Sequence, residues 1–145
     1  MRQALLICVG FVLMESFSYF FHRWMLHGFL WKIHRSHHLP RKKAIFELND
    51  IFSLTFSIIA FAMVMAPSPN ISSLGIGVTI YGILYFIIHD LFTHRRFFPF
   101  NSRNRILLMF RSAHQRHHQS VEKSGLEPFG LFFFNYSKFW NRSRL

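Results

Sequence analysis

The chain contains ten histidines, and all ten fall into two copies of one pattern. The first copy is His22-x4-His27 followed by His34-x2-His37-His38; the second is His89-x4-His94 followed by His114-x2-His117-His118. On a helix, residues three and four apart are surface neighbours, so His37 and His38 both flank His34, and His117 and His118 both flank His114. Each of these boxes offers several imidazoles to one ligand. His22 and His27 are five apart, about 140° around an ideal helix, as are His89 and His94. Such pairs cannot chelate from one straight helical face: either the helix ends or bulges between them, or the two members serve different metals.

So many ionisable rings brought together would repel one another if protonated. Metal coordination removes the conflict, because it requires neutral imidazole. Imidazole suits iron, zinc, copper and nickel alike, so the ligands alone do not name the metal. Ten are too many for one ion and about right for two with open positions. The Glu-x-x-His pairs of soluble carboxylate-bridged di-iron bundles are absent, which leaves a histidine-rich site of another kind.

Four of the six acidic residues, Glu15, Glu47, Asp50 and Asp90, lie near the boxes. Glu15 stands two helical turns before His22 on the same face, inside an apolar run where an ionisable group is functional by default. It reads either as an acceptor for an imidazole N–H or as a packing group. Asp90, adjacent to His89, and the Asn49-Asp50 pair are further candidates to orient imidazoles. Asp50 reads equally well as a helix N-cap.

The elements that must position these groups are apolar. Ala4 to Phe21, Ile51 to Ala66 and Ile71 to Ile88 each approach the roughly 20 residues that a full membrane span needs. Pro67-Ser68-Pro69-Asn70 breaks the second from the third and makes them a hairpin. Its turn carries no Lys or Arg, whereas nearly all basic residues fall within Arg23 to Lys43 and Arg95 to Arg144. The positive-inside bias therefore places the basic loops and the histidines on the cytoplasmic side, with the N-terminus outside. The expected fold is an all-α integral membrane protein of one domain over residues 1–145: an anchor helix, a hairpin and a cytoplasmic histidine-rich helical cap. The start resembles a signal peptide, but its apolar run leads straight into His22 and reads as a retained anchor.

A net charge of +11 could point to nucleic acid, but the basic residues follow apolar stretches and no nucleic-acid motif interleaves with them. Contact with membrane lipid is the simpler reading. The single cysteine, Cys8, excludes an intramolecular disulfide and a multi-thiolate metal site. Gly75, Gly77 and Gly82 have the wrong spacing for a nucleotide loop and read as close helix packing. Residues 103–118 mix apolar and basic residues, as in a helix at headgroup level. Phe129 to Phe134 is too short to span and is expected to lie on or dip into the membrane. The twenty Phe residues could line a tunnel for a rigid polyene, although lipid-facing Phe is commoner.

The boxes, their order and their placement after apolar segments resemble the membrane fatty-acid hydroxylase and desaturase superfamily, and within it the β-carotene hydroxylases. The closer resemblance rests on His22-Arg23-Trp24-Met25-Leu26-His27-Gly28, on His34-Arg35-Ser36-His37-His38 with Pro40-Arg41-Lys42, and on Phe46-Glu47-Leu48-Asn49-Asp50. It continues through residues 81–90 and Ala113-His114-Gln115-Arg116-His117-His118. The resemblance implies a non-haem centre of two irons ligated by His22, His27, His34, His37, His38, His89, His94, His114, His117 and His118. It further implies O2 as co-substrate, two electrons from an external ferredoxin-type donor, and a carotenoid hydroxylated at the 3-position of its β-ionone ring. A sibling enzyme acting on a fatty-acyl, sterol or other lipid C–H bond is the nearest alternative; a zinc hydrolase or a non-catalytic metal-binding protein would be a different class.

Overall fold

A computed structural model describes residues 1–39 and 46–140; Pro40-Arg41-Lys42 and the last five residues lie outside the described part. Within it the chain is all-helical. Helix α1 (Arg2–Phe20) runs without a break into a π-helical segment (Phe21–Leu26), and α2 (Trp31–His38) follows. Helices α3 (Asp50–Val64) and α4 (Pro69–Tyr85) form the hairpin, and α4 likewise continues into a π-helical segment (Phe86–Thr93). Helices α5 (Arg105–His117) and α6 (Tyr136–Trp140) complete the order.

The π segments lengthen the first and third apolar runs beyond what their composition indicated. Arg2–Leu26 and Pro69–Thr93 are each 25 residues of continuous helix, with mean hydropathies of 1.9 and 2.0. At 1.5 Å per residue each reaches roughly 37 Å, enough to cross a bilayer. Only 11% and 28% of their most apolar stretches are buried, so most of each stretch faces outward from the protein. Leu5, Val12, Leu13, Ile58, Phe61 and Ile83 are among the large apolar side chains left exposed. Helix α3 is shorter, at 15 residues.

Close packing without Cβ atoms sets the bundle geometry. A Cβ on Gly10 would stand 2.3 Å from the Leu74 carbonyl oxygen, and one on Gly77 would stand 2.1 Å from that of Ile7. These approaches, with Ser73 donating to Gln3 at 2.6 Å, put α1 and α4 side by side and parallel. Gly75 brings α4 equally close to Met63 and Val64 of the antiparallel α3. Gly75 and Gly77 thus serve helix packing as the sequence indicates. Gly82 does not: a Cβ there meets nothing within 4 Å, because it faces a cavity.

The parallel pair makes the sequence repeat a structural one. Each long rod ends in a π segment bearing His-x4-His, and the next helix along that half of the chain bears His-x2-His-His. Asn104 caps α5 by accepting from the Ile106 and Leu107 amides at 2.9 and 3.3 Å. Met109, Phe110 and Ala113 of α5 are buried against Ile88, Leu131 and Phe139, so much of the apolar face of α5 is spent inside the protein. The 129–134 segment is not helical; it lies against α1 at the level of Glu15.

Candidate metal centre

The π segments resolve the five-residue spacing. His27 donates its backbone N–H to the His22 carbonyl at 3.0 Å, and His94 donates to that of His89 at 2.8 Å. These i→i+5 bonds widen the turn, a feature often found at functional sites. They swing residues five apart onto one side, leaving ring centroids 5.1 Å apart for His22 and His27 and 4.5 Å apart for His89 and His94.

Two groups of imidazoles result. His22, His27, His34, His38 and His117 bring ligand atoms within 4.8 Å of one another, and so do His37, His94, His114 and His118. His89 adjoins the second group, with its Nε2 3.2 Å from that of His37. The sequence neighbours His37 and His38 part company, as do His117 and His118. In α2, His34 and His38 share a face and serve the first group, while His37 turns to the second. In α5, His114 and His118 serve the second group, while His117 turns to the first. Each half of the repeat lends one histidine to the other.

Hydrogen bonding fixes the tautomers of the first group. His22 Nδ1 donates to the Phe129 carbonyl at 2.7 Å, His27 Nδ1 to Lys123 at 3.0 Å, His38 Nδ1 to Ser120 at 2.9 Å and His117 Nδ1 to Leu126 at 2.6 Å. His34 Nδ1 donates to Asn49 Oδ1 at 2.8 Å. Carbonyl oxygens only accept, so all five protons reside on Nδ1, and a neutral imidazole has no second proton. Every Nε2 therefore presents a lone pair. Yet His22 and His34 approach Nε2 to Nε2 at 3.0 Å, His27 and His117 at 3.2 Å, and His34 and His38 at 3.2 Å. Lone pairs facing at these distances repel unless a cation lies between them. Five neutral imidazoles that present Nε2 lone pairs are a donor set that fits a divalent transition metal.

The second group is built similarly but is bordered by acids. His37 Nδ1 donates to Glu47 Oε2 at 2.9 Å, and His89 Nδ1 lies 3.5 Å from Asp90 Oδ2. His94 and His114 meet Nε2 to Nε2 at 2.8 Å, and His118 Nε2 is buried with no hydrogen-bond partner. Burial, followed by the neighbouring imidazoles, holds His37, His114 and His118 far below the ordinary histidine range. Burial also pushes His34 down to about 3, His38 to about 4 and His117 to about 2, the hydrogen bonds to Asn49, Ser120 and Leu126 opposing it in turn. All six are neutral, ligand-competent imidazoles at neutral pH.

Of the acids and amides read from the sequence, Asn49 orients His34 directly, and Asp90 stands beside His89. Glu15 does not meet an imidazole, which corrects the first of its two readings. Its Oε1 accepts the backbone N–H groups of Phe132 and Phe133 at 2.8 and 2.7 Å, because His22 Nδ1 is already taken by the Phe129 carbonyl. Glu15 thus acts one step back, pinning the segment whose Phe129 holds His22. Asp50 is not the N-cap of α3, a place taken by Asn49. Its Oδ2 accepts the Glu47 amide at 2.9 Å and pairs with Arg96 at 2.5 Å. Sequence reasoning missed Arg96, and it noted Glu47 without assigning it a partner. Four backbone carbonyls that fix tautomers left no sequence signal at all.

A cavity of about 580 Å³ opens between α1, α3 and α4 directly onto the centre. His22, His34, His37 and His89 form its floor, drawn from both sides of the metal arrangement. Phe21, Phe52, Phe56, Phe61 and Phe86 line its walls, five of the twenty phenylalanines. Ser57 and Thr79, also in the wall, spend their hydroxyls on the carbonyls of Ser53 and Gly75. Apart from the histidines, Asp90 is the one ionisable acid or base among the described lining residues below the phenol range.

The family profile described as fatty acid hydroxylase matches residues 7–143. A β-carotene hydroxylase of Pseudescherichia vulneris is 36% identical over 136 residues, covering 90% of this chain and 76% of the relative. One from Pantoea ananas is 35% identical over 135 residues, covering 90% of this chain and 77% of its own. The chloroplastic β-carotene 3-hydroxylase 2 of Arabidopsis thaliana is 35% identical over 129 residues, covering 82% of this chain and 41% of the relative. No solved structure matches the chain.

Proposed function

The chain belongs to the fatty acid hydroxylase family, and from that premise we propose that it is a membrane β-carotene 3-hydroxylase converting β-carotene to β-cryptoxanthin and zeaxanthin. The observation that carries the reading is the cavity: an aromatic, hydrocarbon-lined space inside the apolar bundle whose floor is made of imidazoles from both histidine groups. A polyene with a terminal ring offers no polar handle, and these walls supply almost none. The described lining holds no Lys or Arg to seat a carboxylate or phosphate head group, which disfavours a charged acyl substrate.

The ten histidines are the ligands in this reading. His22, His27, His34, His38 and His117 would hold one iron, and His37, His94, His114 and His118, with His89, the other. Two bound irons supply what no side chain can, the capacity to activate O2 against an unactivated ring C–H bond. The overall change is balanced: C–H, O2, two electrons and two protons give C–OH and water. The chain's own residues do the rest. Backbone carbonyls and Asn49 keep the first-group Nε2 atoms unprotonated, and Glu47 does the same for His37. The phenylalanine walls exclude water and hold the ring over the floor. The electrons come from an external ferredoxin-type donor, which the basic, histidine-bearing end suits through charge complementarity. That end faces the cytoplasm, the N-terminus lies outside, and the chain works as one domain.

Expression in a β-carotene-producing host tests the proposal. Zeaxanthin and β-cryptoxanthin should accumulate, and the His38→Ala and His114→Ala variants, one from each group, should leave β-carotene unchanged. Unchanged pigment with well-expressed wild-type protein would reject the carotenoid reading.

A further inference from the structure

Arg96 lies two residues beyond the last histidine of its box, in the stretch after the second π segment, and is only 2% exposed. A buried guanidinium is costly unless every face of its charge is answered. Here it is answered twice. One terminal nitrogen donates to Asp90 Oδ1 at 2.9 Å and the other to Asp50 Oδ2 at 2.5 Å, while its backbone N–H donates to the Asp90 carbonyl at 2.9 Å. The residues on either side, Arg95 and Phe97, both adopt left-handed φ values of 54° and 50°. Non-glycine residues hold that conformation only where the surroundings over-determine it. Two in three residues, with the buried arginine between them, mark a backbone bent to bring Arg96 inward.

Both carboxylates lead onward to imidazoles. Asp90 stands beside His89, 3.5 Å from its Nδ1. Asp50 Oδ2 accepts the amide of Glu47, whose carboxylate in turn accepts His37 Nδ1. The two arms close on each other, since His37 and His89 meet Nε2 to Nε2 at 3.2 Å on the cavity floor. The first group has no equivalent: its Nδ1 atoms bond carbonyl oxygens of the backbone and of Asn49. We propose that Arg96 is a positioning residue dedicated to the second metal site, its forked guanidinium holding Asp50 and Asp90 so that His37 and His89 are aimed at one ion. Lysine cannot substitute fully, because one ammonium cannot span both carboxylates with the fixed geometry of the fork. The consequence is an asymmetry between two sites that the sequence repeat makes look alike.

The inference rests on the reading of the two histidine groups as metal sites, and the test separates the two. Purified full-length protein is stripped of metal and titrated with cobalt(II), whose visible spectrum and bound stoichiometry report each ion. Wild type should bind two per chain, and His27→Ala, which removes a ligand of the first group, should identify the step that belongs to that group. Arg96→Met should keep that step unchanged and weaken the other roughly 10–100-fold, the usual effect of losing an outer partner of a metal ligand. Arg96→Lys, which retains the charge and guards against misfolding of the methionine variant, should weaken the same step less. Two unaltered steps in both variants, or equal weakening of both, would overturn the role of Arg96 while leaving the metal reading intact. Wild type that binds no cobalt would overturn both.

Discussion

His34, His38 and His117 carry the clearest residue-scale consequence. Their folded values of about 3, about 4 and about 2 all lie below the 6.5 of an exposed imidazole. The unfolded chain therefore takes up protons as the pH falls through 6.5, while the folded chain stays neutral. Stability without metal is complete above that pH, declines as pH falls below it, and goes on declining until the folded imidazoles themselves titrate at about 4 and below. Thermal melts of metal-free protein from pH 7.5 to 4 should show a falling midpoint, and bound metal, which competes with protons for the same nitrogens, should shift the fall to lower pH. A flat profile would contradict the buried, neutral state of these rings. The gathering of the histidines was legible from their spacing, and Asn49 stood among the candidates to orient an imidazole. Arg96 was not, because its partners Asp50 and Asp90 are 46 and 6 residues away and meet it only in the folded bundle. Glu15 was legible as important but not in its action, since its partners are main-chain amides more than a hundred residues distant.

At the scale of elements, the π segment is what turns an awkward spacing into a usable one. The sequence posed the alternatives of a bulge or of separate metals for each His-x4-His pair, and for His22 and His27 the bulge holds, with both in the first group. Composition could not show that the bulge also lengthens the rod past its apolar run. Helix α4 makes a second point, since its glycines divide by what lies beyond them. Gly77→Ala would place a methyl 2.1 Å from the Ile7 carbonyl oxygen and should destabilise the α1–α4 pair. Gly82→Ala meets nothing within 4 Å and, by removing glycine from a helix interior, should stabilise by about 0.5–1 kcal/mol. Gly82→Phe should fold and bind metal normally while occupying the cavity, lowering hydroxylation of β-carotene at least about tenfold by the scale of lost apolar contacts. Melting temperatures together with pigment turnover in the three variants separate the packing glycine from the cavity glycine; full activity in Gly82→Phe would mean that the substrate does not enter between α3 and α4.

For the whole molecule, the parallel arrangement of α1 and α4 puts the same ends of the two long apolar helices on one side. Both rods carry their histidines at the same end, so all ten reach one side, and α3 must return antiparallel from that side to the uncharged Pro67-Ser68-Pro69-Asn70 turn. In the proposed orientation the lopsided charge would assign the sides: nearly all of the 17 Lys and Arg accompany the histidines, the distribution that the positive-inside bias keeps in the cytoplasm. In the proposed reading an acidic electron donor would meet the protein at that same end, and because the cavity opens toward the bundle interior, electrons and hydrocarbon would approach the centre from different directions. Orientation can be read with single cysteines, because Cys8 is the chain's one native thiol and Cys8→Ser removes the background. In that background Ser68→Cys, in the hairpin turn, should react with a membrane-impermeant maleimide in intact cells. Gln119→Cys, exposed beside the last histidine box, should react only after the membrane is opened. The opposite pattern would place the histidines outside, away from cytoplasmic ferredoxin-type donors, and the positive charge would then have to be explained by lipid contact alone.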